Sequence, residues 1–264
     1  LDTLINGKLA VSPTQGTPNL FSDQIDLRGF SPSVMIGSAS TARLSGSITP
    51  AYNTYSFGGG GGWLEVSSAL VDIPPGGSTL SVSAPSTSSS AAPLTVRLNS
   101  GANTFTGGGE ASGAALIFAP GTMPASGTFT VRNGGYIGSE TVTDAFLGRL
   151  ALGSSSVMVG FDTAPGGTVA SITGSIDLTR LQNSSGLTAP KVLLGTASQA
   201  TLSGTITLRP EDPVYRFGAY KGGLLTVASP LAGGSVQIGD SSNVAFHTNP
   251  INPSSISTVT LSGS

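Results

Sequence analysis

Residues Pro32 to Thr49 read PSVMIGSASTARLSGSIT, and residues Pro190 to Thr207 read PKVLLGTASQATLSGTIT. The two stretches align without a gap at an offset of 158 residues. Further out, a two-residue insertion near Pro210 brings Tyr55-Ser56-Phe57-Gly58 onto Tyr215-Arg216-Phe217-Gly218. One more residue aligns Leu64-Glu65-Val66 with Leu225-Thr226-Val227, and Leu70 with Leu231. Upstream, Ile25-Asp26-Leu27 matches Ile176-Asp177-Leu178; downstream, Thr95-Val96-Arg97-Leu98 matches Thr258-Val259-Thr260-Leu261. Two copies, 25–98 and 176–261, therefore flank a single middle segment, 99–174. The length changes fall at Thr49-Pro50-Ala51 and in the run Gly58 to Gly62, while the apolar runs keep their length. Loops on a rigid scaffold vary in this way.

Within each copy the apolar residues recur with period two over short runs bounded by Gly, Pro, Ser or Asn, the pattern of strands. Examples are Leu44 to Ile48, Leu80-x-Val82, Leu94-x-Val96-x-Leu98, Val157-x-Val159-x-Phe161 and Val236-x-Ile238. A single short helix is predicted over Thr143 to Leu150, capped by Thr143 or Asp144, with Phe146, Leu147 and Leu150 on one face. A duplicated unit favours a solenoid, because a solenoid grows by adding coils that bury one another's faces. At roughly 20 residues per coil the chain makes about a dozen coils. The expectation is an all-β parallel β-helix (β-solenoid) forming one domain over 1–264, with a pair of β-sandwich domains as the alternative.

Composition narrows the function. The chain has 264 residues, 38 of them Gly, with 11 Lys+Arg, 13 Asp+Glu and no Cys. So few charges exclude a coiled coil or helical bundle, and 38% hydrophobic residues with a net charge of −2 exclude a typical disordered chain. Near neutrality removes the electrostatic basis for nucleic-acid or anionic-membrane binding. The missing cysteines exclude disulfides and thiolate metal sites. No apolar run reaches the roughly 18 residues of a spanning helix, so membrane insertion is not expected. Stacked coils set equivalent side chains above one another, where like charges repel while Ser, Thr and Asn can hydrogen-bond. The first residues, Leu1-Asp2-Thr3, carry neither a Met nor a basic-then-apolar leader, which reads as a processed chain or part of a longer one. Scarce lysine and abundant Ser/Thr fit a secreted, protease-exposed surface.

Asn103-Thr104-Phe105-Thr106-Gly107-Gly108, preceded by the strand Leu94 to Leu98, resembles the core of autotransporter-associated β-strand repeats of bacterial passenger proteins. Gly135-Tyr136-Ile137-Gly138, Val159-Gly160-Phe161-Asp162 and Thr226 to Leu231 are similar to stretches in glycine-rich members of that group. The resemblance implies a right-handed β-helix, secretion and a surface-display or adhesive role, with no catalytic residues. The chain departs from it in carrying no C-terminal membrane barrel. The strand Thr258 to Leu261 also meets Ser264 where its first-copy counterpart runs on into Asn103 to Gly108. An unfinished repeat of this kind presents a coil edge suited to continuation.

Chemistry-bearing residues are sparse. His247 is the only histidine and has no nucleophile motif beside it, so it reads as a surface residue. Glu211-Asp212, the one adjacent acidic pair, lies between Pro210 and Pro213 and reads as a solvated turn. Asp26 with Arg28, and Asp177 with Arg180, recur in the two copies, which points to an Asp turn or local ion pair. Gly58 to Gly62 lacks the Lys-Ser/Thr of a phosphate loop and reads as a bend. No catalytic, cofactor-binding or metal residue is assigned.

Tyr and Trp can stack on sugars or anchor interfaces. Tyr55 and Phe57 share counterparts in Tyr215 and Phe217 and are expected in the core. Tyr52, Trp63 and Tyr220 lack such counterparts and form the candidate contact surface. Exposed strand edges template further strands, so the terminal segments Leu4 to Val11 and Ser257 to Ser264 are the candidate joints, with Leu4, Leu9, Val11, Val259 and Leu261 as joining residues. The resulting expectation is a non-enzymatic extracellular or cell-surface structural or adhesive module that joins end to end with copies of itself. The alternative is a carbohydrate-binding or carbohydrate-cleaving β-helix directed at surface glycans.

Overall fold

A computed structural model describes residues 8–10, 20–84, 93–163, 166–184, 186–239 and 258–262. The strand Thr41–Leu44 shows how sequence becomes structure. Its pattern buries Ala42 and Leu44 and exposes Thr41 and Arg43. It pairs in parallel with Trp63–Val66, setting Ala42 beside Leu64 and Leu44 beside Val66. Trp63–Val66 pairs in turn with Thr95–Leu98, and that strand with Ala115–Phe118. Leu44, Val66, Leu98 and Phe118 thus form one buried interior column. Each such side chain removed from water contributes about 1.5–3 kcal/mol. Every pairing between these strands is parallel, and so are those of Lys8–Ala10, Thr54–Phe57, Phe129–Arg132, Ser156–Phe161, Gln199–Leu202 and Val214–Phe217 with their neighbours. The fold is a parallel β-helix. Sandwiches are built from antiparallel sheets, so the two-sandwich alternative is set aside.

The chain comprises two compact units, Leu1–Thr128 and Phe129–Ser264. In the first, successive turns contribute Leu20–Phe21, Thr41–Leu44, Trp63–Val66, Thr95–Leu98 and Ala115–Phe118 to one sheet. In the second, Tyr136–Ser139, Ser156–Phe161, Lys191–Gly195, Val214–Phe217 and Ser235–Ile238 do the same. Among the described residues the two units contribute ten strands to this sheet, against the dozen coils expected, because several turns are longer than 20 residues. Thr95 pairs with Ala115, 20 residues on, but Ser156 pairs with Lys191, 35 residues on. The paired strands keep their register while the chain between them, which in the longer turn includes Ala170–Ile172, Ile176–Asp177 and Gln182–Asn183, varies in length.

The duplication is structural. Arg43, Glu65 and Arg97 stand in register in the first unit, and their counterparts Thr201, Thr226 and Thr260 do so in the second. Ile25–Asp26 pairs with Ile48–Thr49, as Ile176–Asp177 pairs with Ile206–Thr207. Gly46 and Gly204, 158 residues apart, explain themselves by a common contact. A Cβ on Gly46 would overlap the Asp23 carbonyl of the turn beneath, and one on Gly204 would overlap that of Gly174. These corners break the run read as Leu44 to Ile48 into Thr41–Leu44 and Ile48–Thr49, which lie in different sheets.

A stacked column does carry charges, of alternating sign. Arg43 Nε and Arg97 Nη1 each lie 3.1 Å from a different oxygen of Glu65, so the signs alternate along the column. Asn99 Nδ2 also donates to Glu65 Oε1 at 3.0 Å. The second copy avoids the problem with three threonines.

The helix is shorter than predicted, Asp144–Leu147, with Thr143 as its cap and Phe146 and Leu147 buried. Thr143 Oγ1 accepts from the Phe146 N–H at 3.2 Å. Leu150 instead opens the strand Leu150–Leu152.

Asn103 to Gly108 ties turns together. Asn103 is buried; its Oδ1 accepts from the Leu70 N–H at 3.0 Å and its Nδ2 donates to the Thr122 carbonyl at 2.9 Å. Phe105 is fully buried and lies 6.5 Å from the Tyr55 ring. The Thr106 N–H and hydroxyl both bond Asp72, at 2.9 and 2.8 Å. The Ser78 and Thr106 amides hold Asp72 below the usual carboxylate range. Asn103→Ala strands a buried donor and a buried acceptor, so we expect a loss of about 2–4 kcal/mol in urea unfolding. An unchanged urea midpoint would show that water replaces both bonds.

Candidate functional site: the exposed coil ends

The inward-facing residues of the last turns are the site's raw material. In Val214–Phe217, Tyr215 and Phe217 point into the core and are buried. Their partners in the next strand, Val236 and Ile238, occupy the same inward positions, yet Ile238 is 55% exposed and Val236 is 43% exposed. The neighbouring sheet repeats this. Val227 is buried, whereas Leu261, paired with it, is 47% exposed. Among the described residues no strand follows Ser235–Ile238 or Thr258–Leu261 in its sheet.

The first copy shows these positions covered. Since Tyr55 and Phe57 match Tyr215 and Phe217, their partners Leu80 and Val82 match Val236 and Ile238. Leu80 and Val82 are buried because Gly109–Ser112 pairs over them. Likewise Val96 and Leu98, counterparts of Val259 and Leu261, are buried beneath Ala115–Phe118. The added turn accounts for the difference.

At the other end, Lys8–Ala10 pairs with Met35–Gly37 and has no strand on its far side among the described residues. Leu9 sits in register with the buried Ile36 but is 43% exposed itself. Leu20–Phe21 begins the adjacent sheet, with Phe21 in register with the buried Leu44.

The structure places the predicted joining residues as follows. Leu9, Val259 and Leu261 lie on end strands; Leu4 and Val11 lie outside the described residues, as does His247. Sequence reading missed Val236 and Ile238 as end residues. Extending the Tyr55/Tyr215 alignment by one strand would have found them.

The aromatic trio does not form one surface. Tyr52 is the most exposed, in a turn where it and Asn53 both have positive φ. Trp63 is half-buried at the start of its strand, and its indole N–H meets no acceptor among the described residues. Tyr220 is fully buried and stacks on Tyr136 at 5.4 Å, which corrects its assignment to an outward contact. Glycines make room for the Tyr136 hydroxyl on which this stack depends. Gly138, Gly160 and Gly195 stand in register on adjacent turns, and a Cβ on Gly138 or Gly160 would strike the Tyr136 hydroxyl region.

Behind these rings lies a buried acid. Tyr136 donates to Asp162, which also accepts from the Ala197 N–H at 2.8 Å and from the Thr196 and Ser198 hydroxyls, each at 3.2 Å. Burial pushes Asp162 up to about 6 against this set of donors. It is fully enclosed, so its position is that of an interior linchpin between turns.

The acids singled out in the sequence are locally paired. Arg28 holds Asp26 down at about 2, and the Thr179 hydroxyl, with Arg180 at 3.2 Å, lowers Asp177. Glu211 and Asp212 each neutralise a different buried arginine, Arg209 at 2.6 Å and Arg216. The pair is a turn, as read, but one anchored to the interior. Among the described residues no group of three or more His, Asp or Glu side chains could hold a metal ion. The chain matches no protein-family model, no curated protein and no solved structure.

Proposed function

We propose that this chain is a non-enzymatic structural module, a β-solenoid that joins other copies of itself through its coil ends. The observation that carries the reading is the contrast between copies: Leu80 and Val82 are buried under a further turn, while their counterparts Val236 and Ile238 are exposed. Exposed apolar residues on an unpaired strand edge are the template for adding strands. A charge-poor, Ser/Thr-rich surface supports an extracellular setting, where such a module serves display or adhesion. The carbohydrate reading draws less support, since one of its three aromatic residues points inward.

Sedimentation and negative-stain imaging over rising concentration test the proposal. The expected result is a series of species growing from 26.1 kDa into elongated multimers. A single 26.1 kDa species at every concentration overturns it.

A further inference from the structure

We infer that Asn133 is a self-modification site, where the folded chain converts its own asparagine to aspartate or isoaspartate. The chain holds two Asn-Gly pairs, Asn6-Gly7 and Asn133-Gly134, and the second lies among the described residues. Asn133 and Gly134 are the central residues of a tight turn, closed by the Gly135 N–H donating to the Arg132 carbonyl at 2.8 Å. Both have positive φ, 54° and 71°, the I′ pattern for which Asn-Gly is a preferred pair. The residue that suits the turn also leaves the asparagine open to attack, because glycine has no Cβ to shield its nitrogen.

The reaction needs water alone. The Gly134 nitrogen gives its proton to solvent base and bonds to Asn133 Cγ; the Cγ–Nδ2 bond breaks and ammonia leaves, closing a five-membered imide. Water then adds to one of the two imide carbonyls. Breaking the new N–Cγ bond gives aspartate on the original backbone. Breaking the original peptide bond instead gives isoaspartate, with the chain running through Cγ. Nothing is oxidised or reduced.

Two features of the turn leave this path open. Asn133 is exposed at its tip. Gly134 is buried, yet among the described residues nothing accepts from its N–H, since Gly135 makes the hydrogen bond of the turn. Asn53 supplies the contrast. It too has positive φ, at 60°, but β-branched Thr54 follows it, and the Thr54 N–H is tied to the Ala51 carbonyl at 3.0 Å. Asn103 is closed off differently, with both ends of its buried amide bonded. The products alter the turn in two ways. Aspartate puts a negative charge next to Arg132, and isoaspartate adds a methylene to the backbone leading into Tyr136–Ser139, whose first residue reaches Asp162.

Arg132 and Arg149 bracket the site, so trypsin releases it as the peptide 133–149, in which Asn133 is the only side-chain amide. Folded protein is held at pH 8 beside a sample unfolded in urea, each is digested, and the peptide mass is read against a sample digested at once. The folded chain is expected to show the gain of an amide-to-acid exchange, at a rate within about tenfold of the unfolded chain, a barrier difference of about 1.4 kcal/mol at most. Labelling by an isoaspartyl methyltransferase is expected to mark part of the same peptide, and folded protein kept at pH 5 is expected to convert more slowly. Asn133→Gln, whose ring would need six members, is expected to show no gain. A folded chain that keeps the mass of 133–149 while the urea sample converts would overturn the site, because the turn then protects it. No gain in either sample overturns it as well, and an equal gain in Asn133→Gln overturns the imide route.

Discussion

Gly160→Ala is expected to unfold the unit 129–264 at temperatures where the wild-type unit stays intact. A single methyl group at this position meets the Gly195 carbonyl oxygen of the next turn and the Tyr136 hydroxyl. The carbonyl is backbone held in the parallel pairing of Ser156–Phe161 with Lys191–Gly195, so it cannot move aside without breaking that ladder. The hydroxyl is held by Asp162 and by the stack of Tyr136 on Tyr220. With neither neighbour free to give, the cost exceeds about 4 kcal/mol, the range of severe overpacking. For a unit of this size that lowers the melting temperature by about 10 °C or more. Thermal unfolding followed by circular dichroism measures the loss, and limited proteolysis shows whether cleavage concentrates in 129–264. Gly174→Ala is the control, since a Cβ there meets nothing within 4 Å. Equal melting temperatures for Gly160→Ala and wild type would mean that the glycine column is not needed for close approach.

Much of this was legible in the chain because a parallel β-helix writes its geometry twice. Gly46 and Gly204 are predictable as a pair, since the same turn crosses the same carbonyl beneath it in both copies. Asn103 and Thr106 sit in one short contiguous string with Phe105, and both bond to neighbouring turns, so the string itself marks where turns are tied. Coil length was not legible. It depends on how much chain separates one paired strand from the next, from 20 residues between Thr95 and Ala115 to 35 between Ser156 and Lys191, and the strand runs themselves carry no trace of that spacing. The inward turn of Tyr220 was hidden for a related reason. It stacks on Tyr136, 84 positions earlier, whose hydroxyl fits only because Gly138 and Gly160 carry no side chain. The strings Gly135 to Gly138 and Val159 to Asp162 stood out separately. Only the register sets them side by side, delivering Tyr136 to Asp162 with a glycine on each turn to make room.

Asp162 gives the same region a pH dependence opposite in sign to that of the exposed acids. Its carboxyl sits at about 6 in the folded chain against 3.8 as its ordinary value, because burial disfavours the charged form more than Tyr136, Ala197, Ser198 and Thr196 favour it. A raised folded value means that the folded state binds the proton more tightly than the unfolded one. The destabilisation is therefore complete above about pH 6, is relieved as the pH falls from about 6 towards 4, and amounts to about 3 kcal/mol at most. Asp26 and Asp177 run the other way. Their lowered values stabilise the fold at neutral pH, and that stabilisation is lost only as the pH falls below about 4. Urea unfolding of the 129–264 signal should thus show greater stability at pH 5 than at pH 8. Asp162→Asn removes the charge and keeps the shape: its carbonyl oxygen still accepts from Ala197 and Ser198, and its amide donates to the Tyr136 oxygen. We expect that variant to match or exceed wild type at pH 8 and to lose the slope between pH 5 and pH 8. Asp162→Ala, which strands those donors, should destabilise at every pH by about 2–4 kcal/mol. A slope that persists in Asp162→Asn would assign the titration to another group, and a loss in that variant as large as in the alanine variant would mean that the charge itself holds the turns together.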